Sequence, residues 1–165
     1  MWHPKNQAVE AVAVKLFKSG LTSDGLMSCE MHANILAGEH PCLVGVKGVI
    51  HNHPQGTLGL VMPLLDADLK VLANPLSFES CSRDVYRDDL TLTLADAQHI
   101  MFSITNAAKH LHARGLMHGD LYAHYTLWRT DKVMSQKAVL SDLGGASFLP
   151  LDNQALTKKL GAVVD

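Results

Sequence analysis

Leu111-His112-Ala113-Arg114-Gly115-Leu116-Met117-His118-Gly119-Asp120-Leu121 is the stretch whose reading decides the fold. It begins as the end of a long helix, is stopped by Gly115 and runs into a tight loop that carries Asp120. Upstream, Thr93-Leu94-Ala95-Asp96 has the pattern of a capping box. Ala97, Ile100, Met101, Ile104, Ala107, Ala108 and Leu111 then recur at helical spacing and mark the apolar face. Downstream, residues 125–128 and 138–141 read as two short strands joined by a polar hairpin through Asp131, followed by Ser141-Asp142-Leu143-Gly144. Residues 154–164 have the pattern of one more short helix.

Working outward to the N-terminal half, residues 9–17 are valine-rich and read as a strand. Period 2 places Val12, Val14 and Leu16 on one face and Ala13, Lys15 and Phe17 on the other. Both faces are largely apolar, which predicts a central strand and makes the lysine a residue that needs a reason. Thr22 or Ser23 is positioned to cap a helix running to about Ala37, with Leu26, Cys29, Ala33, Leu36 and Ala37 as its buried stripe. Glu30 falls on that stripe, and Gly38 is a C-cap. Residues 43–46, 48–51 and 58–62 are short apolar runs, the last stopped by Pro63. Residues 66–89 are polar and irregular and read as a connection with short helical pieces. The order of elements is α+β, a sheet layer followed by a helical layer.

Composition bounds the rest. The 165 residues are 47% hydrophobic and 18% charged, so the chain carries a core rather than disorder. A net charge of −2 gives no bulk drive toward nucleic acid or an acidic membrane surface. The longest apolar run, residues 58–65, contains Gly59 and Pro63 and is too short to span a bilayer. The N-terminus has no signal-peptide core, and three cysteines without framework spacing suit a reducing compartment, so the expected location is cytoplasmic. His51-x-His53 and His110-x-His112 have the spacing of ligand pairs, but no C-x₂-C accompanies them.

Four features occur in order: Val12-Ala13-Val14-Lys15, Glu30 on its helix, His118-Gly119-Asp120-Leu121 and Asp142-Leu143-Gly144. Together with His40-Pro41-Cys42-Leu43-Val44 they resemble the protein kinase superfamily over residues 11–147, most of the chain. The resemblance implies a truncated bilobal fold: one partial domain over 1–165, with 9–65 as the remnant of a small lobe of antiparallel sheet and one helix, and 66–165 as a partial helical lobe. It implies ATP and Mg²⁺ as cofactors. Ala13 would lie under the base, and Lys15 would reach the α/β-phosphates while paired to Glu30. Met62 is similar to the gatekeeper, and Pro63 and Leu65 to the hinge that meets adenine. Asp142 would hold Mg²⁺, and Asp120 would take the proton of the attacking hydroxyl. The acceptor implied is a protein Ser, Thr or Tyr hydroxyl.

The departures open two alternatives. Tyr125 stands where the family has a metal-binding asparagine, and a phenol is a poor ligand for a hard cation. No glycine precedes Lys15, and only 23 residues follow Asp142, with no A-P-E. These differences fit a pseudokinase or kinase fragment acting as a binding or scaffold module. Gly119, in place of the H-R-D arginine, is similar instead to the catalytic loop of aminoglycoside and choline kinases, and so fits a small-molecule kinase. A kinase-like chain of this length would leave a sheet edge and the underside of the long helix uncovered, which predicts a protein partner or self-association.

Overall fold

The computed structural model describes residues 11–17, 21–22, 25–80, 84–129 and 138–149. The expected hairpin tip at Asp131, the helix at 154–164 and Cys81 lie outside these residues. In chain order the strands are β1 (Val12–Leu16), β2 (Leu21–Thr22), β3 (Gly25–Leu26), β4 (Gly48–Ile50), β5 (Gly59–Pro63), β6 (Lys70–Val71), β7 (Leu116–Met117), β8 (Thr126–Trp128), β9 (Ala138–Leu140) and β10 (Ser147–Phe148). Two helices, α1 (Met27–Ala37) and α2 (Leu94–Ala113), complete an α+β architecture of small antiparallel sheets. No helix among the described residues is long and apolar enough to cross a membrane.

The first sheet has the order β1-β5-β4, with Ala13 opposite Met62 and Lys15 opposite Leu60. The expectation of a central β1 is corrected: among the described residues it pairs only with β5, at the sheet edge. Val12, Val14 and Leu16 stay exposed, at 41, 50 and 36%. Among the described residues no second layer covers their face, and the reading failed because an apolar strand face does not specify what covers it. The inward-facing residue of this region, Phe17, packs with Met31 of α1 and Leu60 of β5. Pro63 ends β5 as its last residue rather than standing beyond it.

α1 starts at Met27, later than Thr22 or Ser23 would place it; Leu26 occupies the N-cap without a side-chain bond. Its buried residues are Glu30, Met31, Ala33, Asn34 and Ala37, so the expected stripe is rotated: Leu26, Cys29 and Leu36 face solvent. Gly38 does cap the C-terminus, with φ +60, a value L side chains rarely adopt. α1 touches two cores at once. Met31 serves the sheet, whereas Ala33 and Ala37 pack with Cys42, Leu43, Ala107, Leu111, Leu116, Leu140 and Leu143. Their small side chains let α1 approach closely, so the lysine-bearing sheet and the α2 region share a wall.

Thr93 and Asp96 form the capping box reciprocally, each side chain accepting from the other's backbone N–H, and α2 runs for 20 residues from it. Ile100, Ala107 and Leu111 are buried as the spacing predicts, but Met101 is 68% exposed. Among the described residues of 66–89 there are β6 and an Asn74–Val85 bridge rather than helical pieces. β6 pairs with β8 and β8 with β9, a three-stranded sheet packed against the N-terminal half of α2 through Trp128, Ala138 and Ile100. Its middle strand β8 starts soon after the loop carrying Asp120, so the loop runs between α2 with β7 on one side and β8 on the other.

Candidate active site

Three elements meet around Lys15. Its alternation on β1 turns the side chain toward α1, where Glu30 is buried on the inner face. Lys15 Nζ lies 2.5 Å from Glu30 Oε1 and 3.7 Å from Asp142 Oδ1. The Glu30 side chain is 9% exposed and that of Lys15 41%, so the carboxylate is desolvated and the ammonium still meets water. A buried carboxylate without this partner would be costly, which is the physical reason for a lysine on an otherwise apolar strand.

Asp142 is held in an unusual backbone state. Its φ is +60, a conformation that costs a non-glycine residue of order 1–3 kcal/mol. Its own Oδ1 accepts from Gly144 N at 3.0 Å, closing the turn locally, and Asp is among the residues that tolerate this region best. The backbone strain therefore sits at the residue that also faces Lys15.

Beside these groups is a cavity of about 430 Å³ lined by Ala13, Lys15, Val44, Met62, Pro63, Leu64, Leu65, Ser141 and Asp142. Five of the residues singled out from sequence as nucleotide-contacting (Ala13, Lys15, Met62, Pro63 and Leu65) line it, and Glu30 joins through Lys15. Its lining is mostly apolar, from β1, β5 and the segment after β5, and carries one ammonium, Lys15, and one carboxylate, Asp142. Asp120 is not among the lining residues.

Asp120 reaches the same neighbourhood through a backbone contact. Gly119 has φ +80, and a Cβ built on it would lie 2.1 Å from the Gly145 carbonyl oxygen. A Cβ on Gly145 would in turn lie 3.1 Å from Asp120 Cβ. The turn before Asp120 and the turn after Asp142 are thus stacked backbone on backbone, possible only with glycine at 119. That contact is the structural reason for the absent arginine.

His118 fixes the loop from below. It is 2% exposed, its Nε2 lies 3.0 Å from Ser141 O, and its Nδ1 accepts from Asp120 N at 3.3 Å. A carbonyl only accepts and an amide N–H only donates, so the ring is neutral with the proton on Nε2. Burial pushes its pKa down despite the bonds and carboxylates around it. His118 is therefore a strut rather than a base. Ser141 adds a second tie: its N and Oγ both donate to Tyr125 O, each at 2.9 Å. The Tyr125 ring packs on the α1–α2 core beside Ile104 and Ala146.

In each histidine pair considered as metal ligands, one member has another partner. His110 Nε2 donates to Ala37 O at 2.8 Å while its ring lies 4.4 Å from that of His40. His53 Nδ1 accepts from Gln55 N within its own turn. Among the described residues no three His, Cys, Asp or Glu side chains are grouped to hold a metal ion unaided. Burial raises the Cys42 thiol, and Cys29 is exposed.

One residue escaped the sequence reading. Asp84 accepts from Ala123 N at 2.9 Å, from His124 N at 3.3 Å and from His124 Nδ1 at 3.0 Å. No local signal marks it; it lies about 40 positions away in an irregular polar stretch.

Residues 72–148, just under half of the chain, match the model of the Lipopolysaccharide kinase (Kdo/WaaP) family. This is a kinase-like family and not that of typical protein kinases. The match spans Asp84, α2, the Asp120 loop and Asp142, and stops short of β1 and α1. No curated protein matches the chain.

Proposed function

We propose that the chain is an ATP- and Mg²⁺-dependent phosphotransferase whose acceptor is a saccharide hydroxyl of the lipopolysaccharide type rather than a protein side chain. The observation that carries the reading is Lys15, placed between Glu30 and Asp142 on the wall of a cavity that is otherwise mostly apolar. A nucleotide matches both, with a flat base for the apolar lining and phosphates for the ammonium. In this reading residues 9–65 and 66–165 act as the two walls around it.

Each residue then has a physical task. Ala13 and Met62, opposite one another on β1 and β5, form an apolar surface for the base. Pro63 has a carbonyl but no N–H, so Leu65 supplies both backbone groups to the base edge. Lys15, oriented by Glu30, neutralises phosphate oxygens. Asp142 faces the same space with a carboxylate and would hold Mg²⁺, which when bound offsets the charge of the phosphates. Asp120 accepts the proton as the acceptor oxygen bonds to the γ-phosphorus and the bond to the ADP oxygen breaks. The family match supports a lipopolysaccharide acceptor, and Gly119, required by the Gly145 contact, supports a loop unlike that of typical protein kinases.

Tyr125 favours a second reading, a nucleotide-binding module without turnover. Its ring packs on the core, so this position presents no carboxamide oxygen to a second metal. One experiment separates the two: transfer of labelled γ-phosphate to lipopolysaccharide, alongside a thermal-shift titration with Mg·ATP. Turnover in the wild-type chain that falls about 10²–10⁴-fold in Asp120→Asn supports the enzyme. A thermal shift without turnover supports the module. Neither shift nor turnover overturns both.

A further inference from the structure

Asp84 makes more contacts to the Asp120 loop than any local role requires. Its side chain is 17% exposed and that of His124 is 8% exposed, so their pairing is largely shielded from water. The 3-10 turn Ala123–Tyr125 has unsatisfied N–H groups at its start, as every helical turn does. Tyr122, at the N-cap, supplies no side-chain bond. Asp84 supplies it from another part of the chain, accepting from the N–H groups of both Ala123 and His124. A carboxylate bonded to backbone N–H groups makes a stronger bond than a neutral acceptor. It also accepts from the His124 ring and thereby fixes the proton on Nδ1. The held ring stacks on Tyr122 at 5.3 Å and packs on Tyr125 at 4.1 Å.

Asp84 is itself anchored. Val85 beside it bridges Asn74, with Asn74 N donating to Val85 O at 2.8 Å. Asn74 follows β6, which pairs with β8, and β8 begins where the 3-10 turn ends. Leu72 N also donates to Thr126 O at 2.8 Å. The chain therefore forms a closed ring: loop, β8, β6, the Asn74–Val85 bridge, Asp84, and back to the loop. At the other end of the same loop, Tyr122 N donates to Asp120 O at 3.0 Å. Displacement of residues 122–124 would move Asp120 directly.

We infer that Asp84 is a positioning residue that holds the Asp120 loop in its working shape by capping residues 123 and 124 and orienting His124. This inference rests on the phosphotransferase reading for its catalytic consequence, though not for the pinning itself. The experiment compares wild type, Asp84→Ala, Asp84→Asn and Thr93→Ala, the last destabilising α2 at a cap remote from the loop. In both Asp84 variants, amide exchange in residues 121–126 should rise at least tenfold while exchange in α1 stays as in wild type. At a temperature where every variant is folded, kcat for phosphate transfer to lipopolysaccharide should fall at least tenfold, with KM for ATP changing less than twofold. Thr93→Ala should lower the melting temperature and leave kcat unchanged. Unchanged exchange at 121–126, or a kcat loss in Thr93→Ala equal to that in Asp84→Ala, would overturn the inference. An Asp84→Asn variant that exchanges fast but keeps full kcat would overturn the positioning role. Absence of transfer by the wild-type chain would sink the phosphotransferase reading and leave the pinning to the exchange rates alone.

Discussion

The lysine end and the aspartate end of the site are held in different ways. Lys15 stands on an edge strand whose outer face is open, and side-chain charges fix its position: Glu30 close by and Asp142 further off. Asp120 stands on a loop fixed mostly through its backbone, by His118, Ser141, Asp84 and the Gly119–Gly145 contact. An ion pair with one half-solvated member tolerates small shifts, because Coulomb attraction falls off gently with distance. Hydrogen bonds and backbone contacts fail over a few tenths of an ångström. The difference teaches that the Lys15 end is built to adjust and the Asp120 end to stay put.

The largest test of that contrast is Gly119→Ala. The added Cβ meets a backbone carbonyl in a conformation that already disfavours L residues. The expected destabilisation is about 3 kcal/mol, read by urea unfolding. A loss under about 1 kcal/mol would mean that the two turns separate freely and that the aspartate end is no stiffer than the other. Next is Lys15→Ala, which removes a charge-assisted contact worth about 1.5–3 kcal/mol. It should abolish most of the Mg·ATP thermal shift while leaving amide exchange at 121–126 unchanged. Faster exchange in that loop would show that the two ends are one mechanical unit.

Acidification should act on the loop end through Asp84 and His118. Burial alone would raise the Asp84 carboxyl, but the bonds from Ala123 and His124 outweigh it and hold it below its ordinary value. A depressed carboxylate contributes stability that is complete above its unfolded value and lost as pH falls through its folded one. His118, pushed below 6.5 by burial, adds a penalty that begins as pH drops past 6.5, because the unfolded chain binds that proton first. The melting temperature should therefore decline from about pH 6.5 downward, with the carboxylate part of the decline absent in Asp84→Asn. A flat profile in wild type would contradict both assignments. The smallest effect is Thr93→Ala, about 1 kcal/mol for the lost cap, with no change in nucleotide binding. A change in binding would mean that α2 is coupled to the cavity through the core it shares with α1.

Local patterns were legible and long-range ones were not. The capping box at Thr93, the helix stop at Gly38 and the apolar face of α2 at Ile100, Ala107 and Leu111 follow from residues within one or two turns of each other. The start of α1 was misplaced because Thr22 and Ser23 have cap chemistry, which does not require that a helix begin there. β1 was read as central because burial of a strand depends on what packs over it. The Lys15–Glu30 pair was legible because a lysine and a glutamate on apolar faces each ask for a partner. Asp84 gave no such signal, being one more acid in a polar stretch.

By itself, then, the sequence determined the two helices, the main strands, the order of the charged residues and the need for Lys15 and Glu30 to meet. These depend on short-range periodicity, caps and the cost of an unpaired buried charge. Only the tertiary structure decided that Lys15 also faces Asp142, that Gly119 and Gly145 lie backbone to backbone, and that Asp84 caps the loop from 39 and 40 positions away. Each of those is a contact between segments with no shared local pattern. Their proximity is set by how α1, α2 and the small sheets pack around common cores.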